Sequence, residues 1–383
     1  MKRGAALLAV LLLWRCGGSA PPPAPTAPTA KGSSRVPFDS PPAANHAIGI
    51  TIDDQAAQEI LSALSRPKFQ LPDIKILEDR TAVRFAIQDS GRAADVYERD
   101  FAAAFEEQSR PAVFDFRSIR QNRDRWQALA GAVSSRRDEI VRIAARRGAS
   151  LLPGDRVVSV KLQVFMLFGL AGLSDHLIVH RGEEELMIID LFRALGDTEG
   201  EPIDSQVARI SRLIAGVAFR EAWDLYRSAS PAWRAPDPSL GHLEPLLKAV
   251  AQAGPESLFG IDENFFPLSV WLKDPMRRAL DDLNRRADRL AQARDRLDQR
   301  LEIISEMKKP EFARRVAGPE GAYLTDTVFQ SAGIDGLRSS LAIGPRAFFE
   351  AYDRATQSDK ELVPLTKPIR EQLRAAAPAA RSN

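Results

Sequence analysis

The sequence lacks the residues that several familiar kinds of site require. It has one cysteine, Cys16, in 383 residues, so an intrachain disulfide is impossible. It contains no G-x-S-x-G segment, which argues against a serine nucleophile of the α/β-hydrolase type, and no glycine-rich phosphate loop. Lysine and arginine total 53 against 51 acidic residues, and no basic segment is interleaved with aromatic residues. We therefore predict no nucleic-acid partner.

The first sixteen residues have the layout of an export signal. Lys2 and Arg3 precede an apolar run over residues 5–14, which is shorter than the roughly 20 residues that span a bilayer. Cys16 follows at once, and the segment resembles a bacterial lipoprotein signal, in which this cysteine becomes the lipidated first residue. Trp14 and Arg15 depart from the small residues usual there. A secreted or signal-anchored protein and a cytosolic start remain the alternatives.

Composition divides the rest of the chain. Residues 17–45 are rich in proline, alanine, serine and threonine and carry few large apolar groups, which is typical of an extended linker. We expect a helical part over residues 46–150, a second domain over residues 151–365, and a tail over residues 366–383. The expected location is the cell envelope, with the membrane contacted through lipidated Cys16.

Hydrophobic spacing predicts an α+β fold that is mostly helical. Residues 158–165 alternate with period two, and the apolar segments 176–180 and 185–190 indicate two more strands, so a small sheet of about three strands is predicted. The remaining periodicity is helical. Helices are predicted over residues 54–64, 93–108, 117–149, 203–226, 243–253, 275–308, 318–332 and 344–356.

Two of these helices carry further expectations. The helix over residues 203–226 is apolar on one face, and we expect it to be central, with the sheet packed against it and Trp223 buried. In the long charged helix, four apolar residues recur seven apart, which favours a packed surface helix, with a helical hairpin arm as the alternative. These residues are Leu283, Leu290, Leu297 and Ile304.

The order of landmarks along the chain resembles a known family. A strand pair is followed by a helix with a five-residue slot, a second helix with a glutamate, a long charged helix, and two late helices. The late landmarks are Gly321, Ala322, Tyr323, Gly333, Leu337, Pro345, Phe348, Phe349 and Tyr352. This pattern, over residues 150–357, is similar to bacterial lipoproteins classed as zinc-dependent peptidases of the HExxH, gluzincin-like type.

The resemblance implies a zinc site that this chain has lost. In that family two histidines one helical turn apart and a later glutamate hold the metal, and the glutamate between the histidines activates water. Here the slot is Arg220-Glu221-Ala222-Trp223-Asp224, and the third-ligand position is Glu256. Only the two glutamates match, and an arginine has no lone pair to offer a metal. We therefore expect no metal and no cofactor.

The remaining histidines do not replace the lost pair. His176 and His180 lie four apart in a predicted strand, where their side chains stand about 13 Å apart. We expect Arg220 to pair with both Asp224 and Glu256, substituting structurally for the zinc ion.

Three functions are consistent with the sequence. The first is a non-catalytic binding or scaffold lipoprotein with a metallopeptidase-like fold and an unidentified protein or peptide ligand. The second is an active hydrolase with an unrecognised site, and the third is an unrelated helical envelope lipoprotein.

Overall fold

The computed structural model describes residues 36–375, apart from residues 45, 108–109, 172–173, 182–183, 197, 199 and 262. The fold is α+β and predominantly helical with a four-stranded sheet, which confirms the predicted fold class. The described chain forms two compact units. Unit 1 comprises residues 48–145 and 159–218, and unit 2 comprises residues 36–47, 146–158 and 219–375. The contiguous division predicted at residue 150 stays a prediction.

Unit 1 contains the sheet and the helices that precede it in the chain. Its strands are β1 (Ala47–Asp53), β2 (Ser159–Leu167), β3 (His176–Arg181) and β4 (Glu184–Asp190). Its helices are α1 (Gln55–Leu64), α2 (Leu71–Glu78), α3 (Thr81–Ser90), α4 (Ala94–Ala103), α5 (Phe116–Gln121), α6 (Arg123–Ser135), most of α7 (Arg137–Ala149), α8 (Leu191–Leu195) and the first part of α9 (Ile203–Ala229).

The sheet has the strand order β1-β2-β4-β3 and is mixed. Strand β4 pairs parallel with β2, from Leu162 opposite Glu185 to Leu167 opposite Asp190, and antiparallel with β3. Leu186 to Ile189 are all buried, as expected of a central strand covered on both faces. Helices α1 and α3 contact β2.

Asp190 is the last residue of β4 and caps the N-terminus of α8. Its carboxylate accepts hydrogen bonds from the amides of Gly169 (3.2 Å) and Leu170 (2.7 Å), and from Phe192 (3.0 Å) at the start of α8. Burial raises the pKa of Asp190 to about 6, against these amide bonds, which favour the ionised form. The fully buried side chain thus fixes the loop that follows β2 to the first turn of α8.

Unit 2 is helical. After the second part of α9 it comprises α10 (Pro231–Arg234), α11 (Glu244–Leu258), α12 (Leu268–Trp271), α13 (Lys273–Gln292), α14 (Leu297–Met307), α15 (Pro310–Phe312), α16 (Gly318–Ile343), α17 (Pro345–Ser358) and α18 (Lys367–Arg374). Gly333, with a φ of 71°, kinks α16. In the described part of the chain, no helix is long and apolar enough to cross a bilayer.

Helices α11 and α16 meet at two glycines. A Cβ atom on Gly254 would lie 2.5 Å from the carbonyl carbon of Gly321 and 2.7 Å from the hydroxyl of Thr325. That hydroxyl donates to the Gly321 carbonyl at 2.7 Å. The two backbones therefore approach as closely as they do only because neither position carries a side chain.

Several predicted boundaries are corrected by the structure. The sheet has four strands, whereas the sequence predicted about three. The additional strand is β1, which the sequence analysis did not predict. Helix α11 continues through Gly254 and Pro255, past the predicted end at residue 253. The predicted helix over residues 275–308 is broken between α13 and α14, so the seven-residue repeat is wrong beyond Leu290: Leu297 is 61% exposed, and Ile303 is buried instead.

The glycine contact makes a testable prediction. Gly254→Ala forces the α11 and α16 backbones apart, and we expect a loss of about 1–3 kcal/mol in the free energy of unfolding. Gly131 in α6 is the matched control, because a Cβ atom there meets nothing within 4 Å. Gly131→Ala should stabilise by about 0.5–1 kcal/mol. Denaturant titration followed by tryptophan fluorescence measures both, and equal effects would contradict the proposed role of this contact.

Candidate functional site

The five-residue slot lies in the part of α9 that belongs to unit 2, with its residues divided between two faces. Ala222, Trp223 and, one turn on, Tyr226 are fully buried. Arg220 and Asp224 are exposed, and Glu221 is half-buried. This division follows the helical period, because residues 220 and 224 lie on one face and residues 222, 223 and 226 on the other.

Trp223 fixes α9 against α11. Its indole N–H donates to the carbonyl of Gln252 at 3.0 Å, and its ring stacks on Tyr226 with 5.5 Å between centroids. The Tyr226 hydroxyl in turn donates to Asp155 at 2.9 Å. The prediction that Trp223 is buried, near either the sheet or the Glu256 segment, is confirmed, and the contact is with Gln252, one turn before Glu256.

Arg227, not Arg220, connects the two candidate carboxylates. One terminal nitrogen of Arg227 bonds both Asp224 and, at 3.2 Å, Glu256. Among the described residues Arg220 forms no salt bridge, and it acts on Glu256 only through longer-range attraction. The expected pairing of Arg220 with Asp224 and Glu256 is therefore wrong.

Side-chain direction in a helix explains this correction. Helical side chains point back toward the N-terminus, so Arg227 reaches over the turn that carries Asp224, whereas Arg220 points away from it. The Arg227 guanidinium also lies 5.8 Å from the centroid of the Trp223 ring, which adds a cation–π contact. The sequence analysis considered only residues 220–224 of this helix and therefore missed Arg227. The three-residue spacing from Asp224 is the signal that identifies it.

The attraction between Arg227 and Glu256 offsets only part of the desolvation that burial imposes on the two charges. Burial raises the pKa of Glu256, Glu221 raises it further, and Arg227 and Arg220 lower it. Burial lowers the pKa of Arg227, and Glu256 opposes that change. Desolvation is the larger cause for both groups, so each partner remains displaced toward its neutral form.

The four residues of the predicted site do not fit a zinc ion. Arg220 offers no lone pair, and the fixed positive charge of Arg227 contacts both Asp224 and Glu256, where it repels a divalent cation. Two carboxylates that already accept from a guanidinium lack the open geometry of a catalytic zinc site. No reaction step through a metal is therefore assigned to Arg220, Glu221, Asp224 and Glu256.

The two strand histidines have separate partners. His176 bonds Asp175 at 2.6 Å, and His180 bonds Glu185 on the neighbouring strand at 2.5 Å. Each imidazole is thus paired with a different carboxylate.

Comparisons with known proteins return no match: no family model, no curated protein and no solved structure is similar to this chain.

The position of Arg227 predicts a difference between two arginines of the same helix. Arg227→Ala leaves the half-buried Glu256 without its closest cation, and we expect a loss of about 1–3 kcal/mol, below the value for a fully buried pair because the site is partly solvated. Arg220→Ala is the control and should change stability by less than about 0.5 kcal/mol. Thermal or denaturant unfolding of both variants measures this, and a larger effect at Arg220 would restore the original assignment.

Proposed function

We propose that this protein is an exported lipoprotein, anchored through Cys16, whose metallopeptidase-like fold acts as a non-catalytic binding or scaffold protein. Cys16 lies outside the described residues, so the anchor rests on the sequence alone. The observation that carries the non-catalytic part is the bond of Arg227 to both Asp224 and Glu256. The ligand class is a protein or peptide.

The chemistry of the slot supports this reading. Hydrolysis by a zinc peptidase needs a metal that lowers the pKa of bound water and a carboxylate that takes its proton. In this chain the helix supplies an arginine and an aspartate in place of both histidines. The guanidinium of Arg227 neutralises part of the negative charge of Asp224 and Glu256, as a metal ion would do at this position. The helix pair α9 and α11 is retained as a scaffold.

A hydrolase is the second candidate, and one observation favours it. Glu256 and Glu221 interact electrostatically, and the pKa of Glu256 is raised by burial. Two neighbouring carboxyl groups, one of them with a raised pKa, can act as a general acid and base. An unrelated helical envelope lipoprotein is the third candidate.

The anchor predicts the fate of a cysteine variant. Wild-type protein from its native host should carry acyl mass on Cys16 and sediment with membranes. Cys16→Ser should lose that mass and leave the membrane fraction, because the sulfur that holds the acyl group is gone. Since Cys16 is the only cysteine, no disulfide is disturbed. A variant that remains in the membrane fraction would overturn the lipoprotein assignment.

A second prediction tests the metallopeptidase-like geometry. Arg220→His with Asp224→His rebuilds a His-Glu-Ala-Trp-His slot, but the Arg227 charge remains beside Glu256. We expect little zinc on this double variant. Adding Arg227→Leu should permit about one zinc per chain and raise the thermal midpoint when zinc is present.

The single variant Arg227→Leu is the matched control, since it removes the charge without supplying histidines. Zinc content after dialysis distinguishes the outcomes. If the triple variant holds no more zinc than this control, the slot does not have the geometry of a zinc peptidase. If wild-type protein already holds one zinc that is lost in Glu221→Ala or Glu256→Ala, the hydrolase candidate is favoured.

A further inference from the structure

The segment Glu263–Trp271 of unit 2 presents a small apolar surface to solvent. Phe265 is 37% exposed, Val270 68% and Trp271 49%. The rings of Phe265 and Trp271 meet edge to face, with 6.1 Å between centroids. We call these three side chains the aromatic patch. Exposed aromatic and β-branched side chains held together in this way are typical of a contact surface.

The patch is fixed from beneath. Phe266 and Leu268, which lie between Phe265 and Val270 in the sequence, are buried. The carboxylate of Asp326 in α16 accepts from the Leu268 amide at 2.6 Å and from the Gln330 side chain at 3.0 Å. Because the backbone is held on its inner side, the patch residues face outward as part of the folded state.

The N-terminal chain enters unit 2 beside this patch. Phe38, in the turn Pro37–Asp39, is buried with its ring 4.3 Å from the Phe259 ring and 5.8 Å from the Phe266 ring. Phe266 is the chain neighbour of Phe265. Residues 17–35 therefore join the proposed anchor at Cys16 to the inner side of the segment that carries the patch. At about 3.1 Å per extended residue, that length reaches tens of Å.

Two acidic groups close to the segment that carries the patch share one arginine. Arg147 binds Asp39 at 2.9 Å and also binds Glu263, the residue two positions before Phe265. Both carboxylates repel an anionic lipid headgroup, and the single charge of Arg147 offsets half of their combined charge. The pairing therefore reduces the repulsion between this part of the surface and an anionic phospholipid.

We propose that the aromatic patch is a membrane-contact surface, which inserts into the headgroup region of the bilayer that carries the lipid anchor. The inference rests on the proposed anchoring at Cys16. Tryptophan and phenylalanine favour the boundary between headgroups and acyl chains. A patch of three side chains binds lipid weakly by itself, but a tether raises its effective concentration at the surface, so weak affinity is sufficient.

Trp271 provides a direct reporter of this contact. Trp126, Trp223 and Trp233 are at most 2% exposed, so Trp271 is the exposed tryptophan among the four in the described residues. Trp14 precedes Cys16 and is absent from a chain processed at that cysteine. Mature protein would be purified from membranes, and its acylation would be confirmed by intact mass. The protein would then be reconstituted into phosphatidylethanolamine–phosphatidylglycerol vesicles whose acyl chains carry bromine atoms near the headgroup end.

Bromine quenches only the tryptophans that enter the bilayer. The emission of Trp271 is obtained as the difference between wild type and Trp271→Phe, and we expect brominated lipid to remove most of it. Val270→Asp with Phe265→Asp should restore that emission while leaving the anchor and the thermal midpoint unchanged. Ile343→Asp is the matched control, because Ile343 is 69% exposed at the end of α16, and it should leave the quenching intact.

The outcomes separate the patch from the anchor. Protein that is acylated and floats with vesicles, but whose Trp271 emission is unquenched, overturns the patch proposal and leaves the anchor standing. Protein that carries no acyl group and does not float overturns the proposed anchor, and the patch proposal with it. Quenching that persists in Val270→Asp with Phe265→Asp also overturns the patch. So does unquenched Trp271 emission that becomes shielded by a co-purified protein.

Discussion

The close backbone contact between Gly254 and Gly321 is the constraint on which unit 2 depends. It sets the position of α11, and α11 supplies both the carbonyl of Gln252 and the carboxylate of Glu256. The first accepts from the Trp223 indole and the second bonds Arg227, so both contacts between α9 and α11 follow from where α16 allows α11 to lie. A larger residue at either glycine would displace the carboxylate and the carbonyl together, because both are on one rigid helix. The packing of α11 on α16 therefore determines where the Glu256 carboxylate lies relative to Arg227.

Under the proposed function, Arg227 takes the place of a metal ion only in a limited sense. A guanidinium carries one positive charge and offers donors in a plane, whereas a zinc ion carries two and binds its ligands in a tetrahedron. One charge shared between Asp224 and Glu256 leaves the carboxylates undercompensated, which agrees with the raised pKa of Glu256. The arrangement holds two helices together at a moderate electrostatic cost, and it provides no electrophile to activate water.

Periodic segments of this sequence predict the structure well, and residues that act through three-dimensional context do not. The strands around Val164 and Ile188 and the helix that carries Trp223 are evident from spacing, because burial selects apolar residues at fixed intervals. Gly254 and Pro255 are local signals of a loop, yet tertiary contacts with α16 keep them helical. The choice of Arg227 over Arg220 depends on side-chain direction and on the position of Glu256, which a pattern of residue types does not contain. The prediction that the leucine repeat continues past Leu290 is wrong for a similar reason. A seven-residue spacing does not show that the helix ends at Gln292 and that a new helix begins at Leu297.

The start of the described chain is a structural part of unit 2, and this determines how a tether acts on it. Arg338 is 6% exposed, and its nearest carboxylate is that of the exposed Asp335, at 3.7 Å. Its guanidinium donates to the carbonyls of Pro41 and Ser150, and it stays charged although burial lowers its pKa. Removing the segment around Pro41 would leave that buried charge short of acceptors, which is costly. Phe38 and Asp39 add an apolar contact and an ion pair to the same attachment. The point at which the chain enters unit 2 is therefore held by an apolar contact, an ion pair and a hydrogen bond together, at Phe38, Asp39 and Pro41.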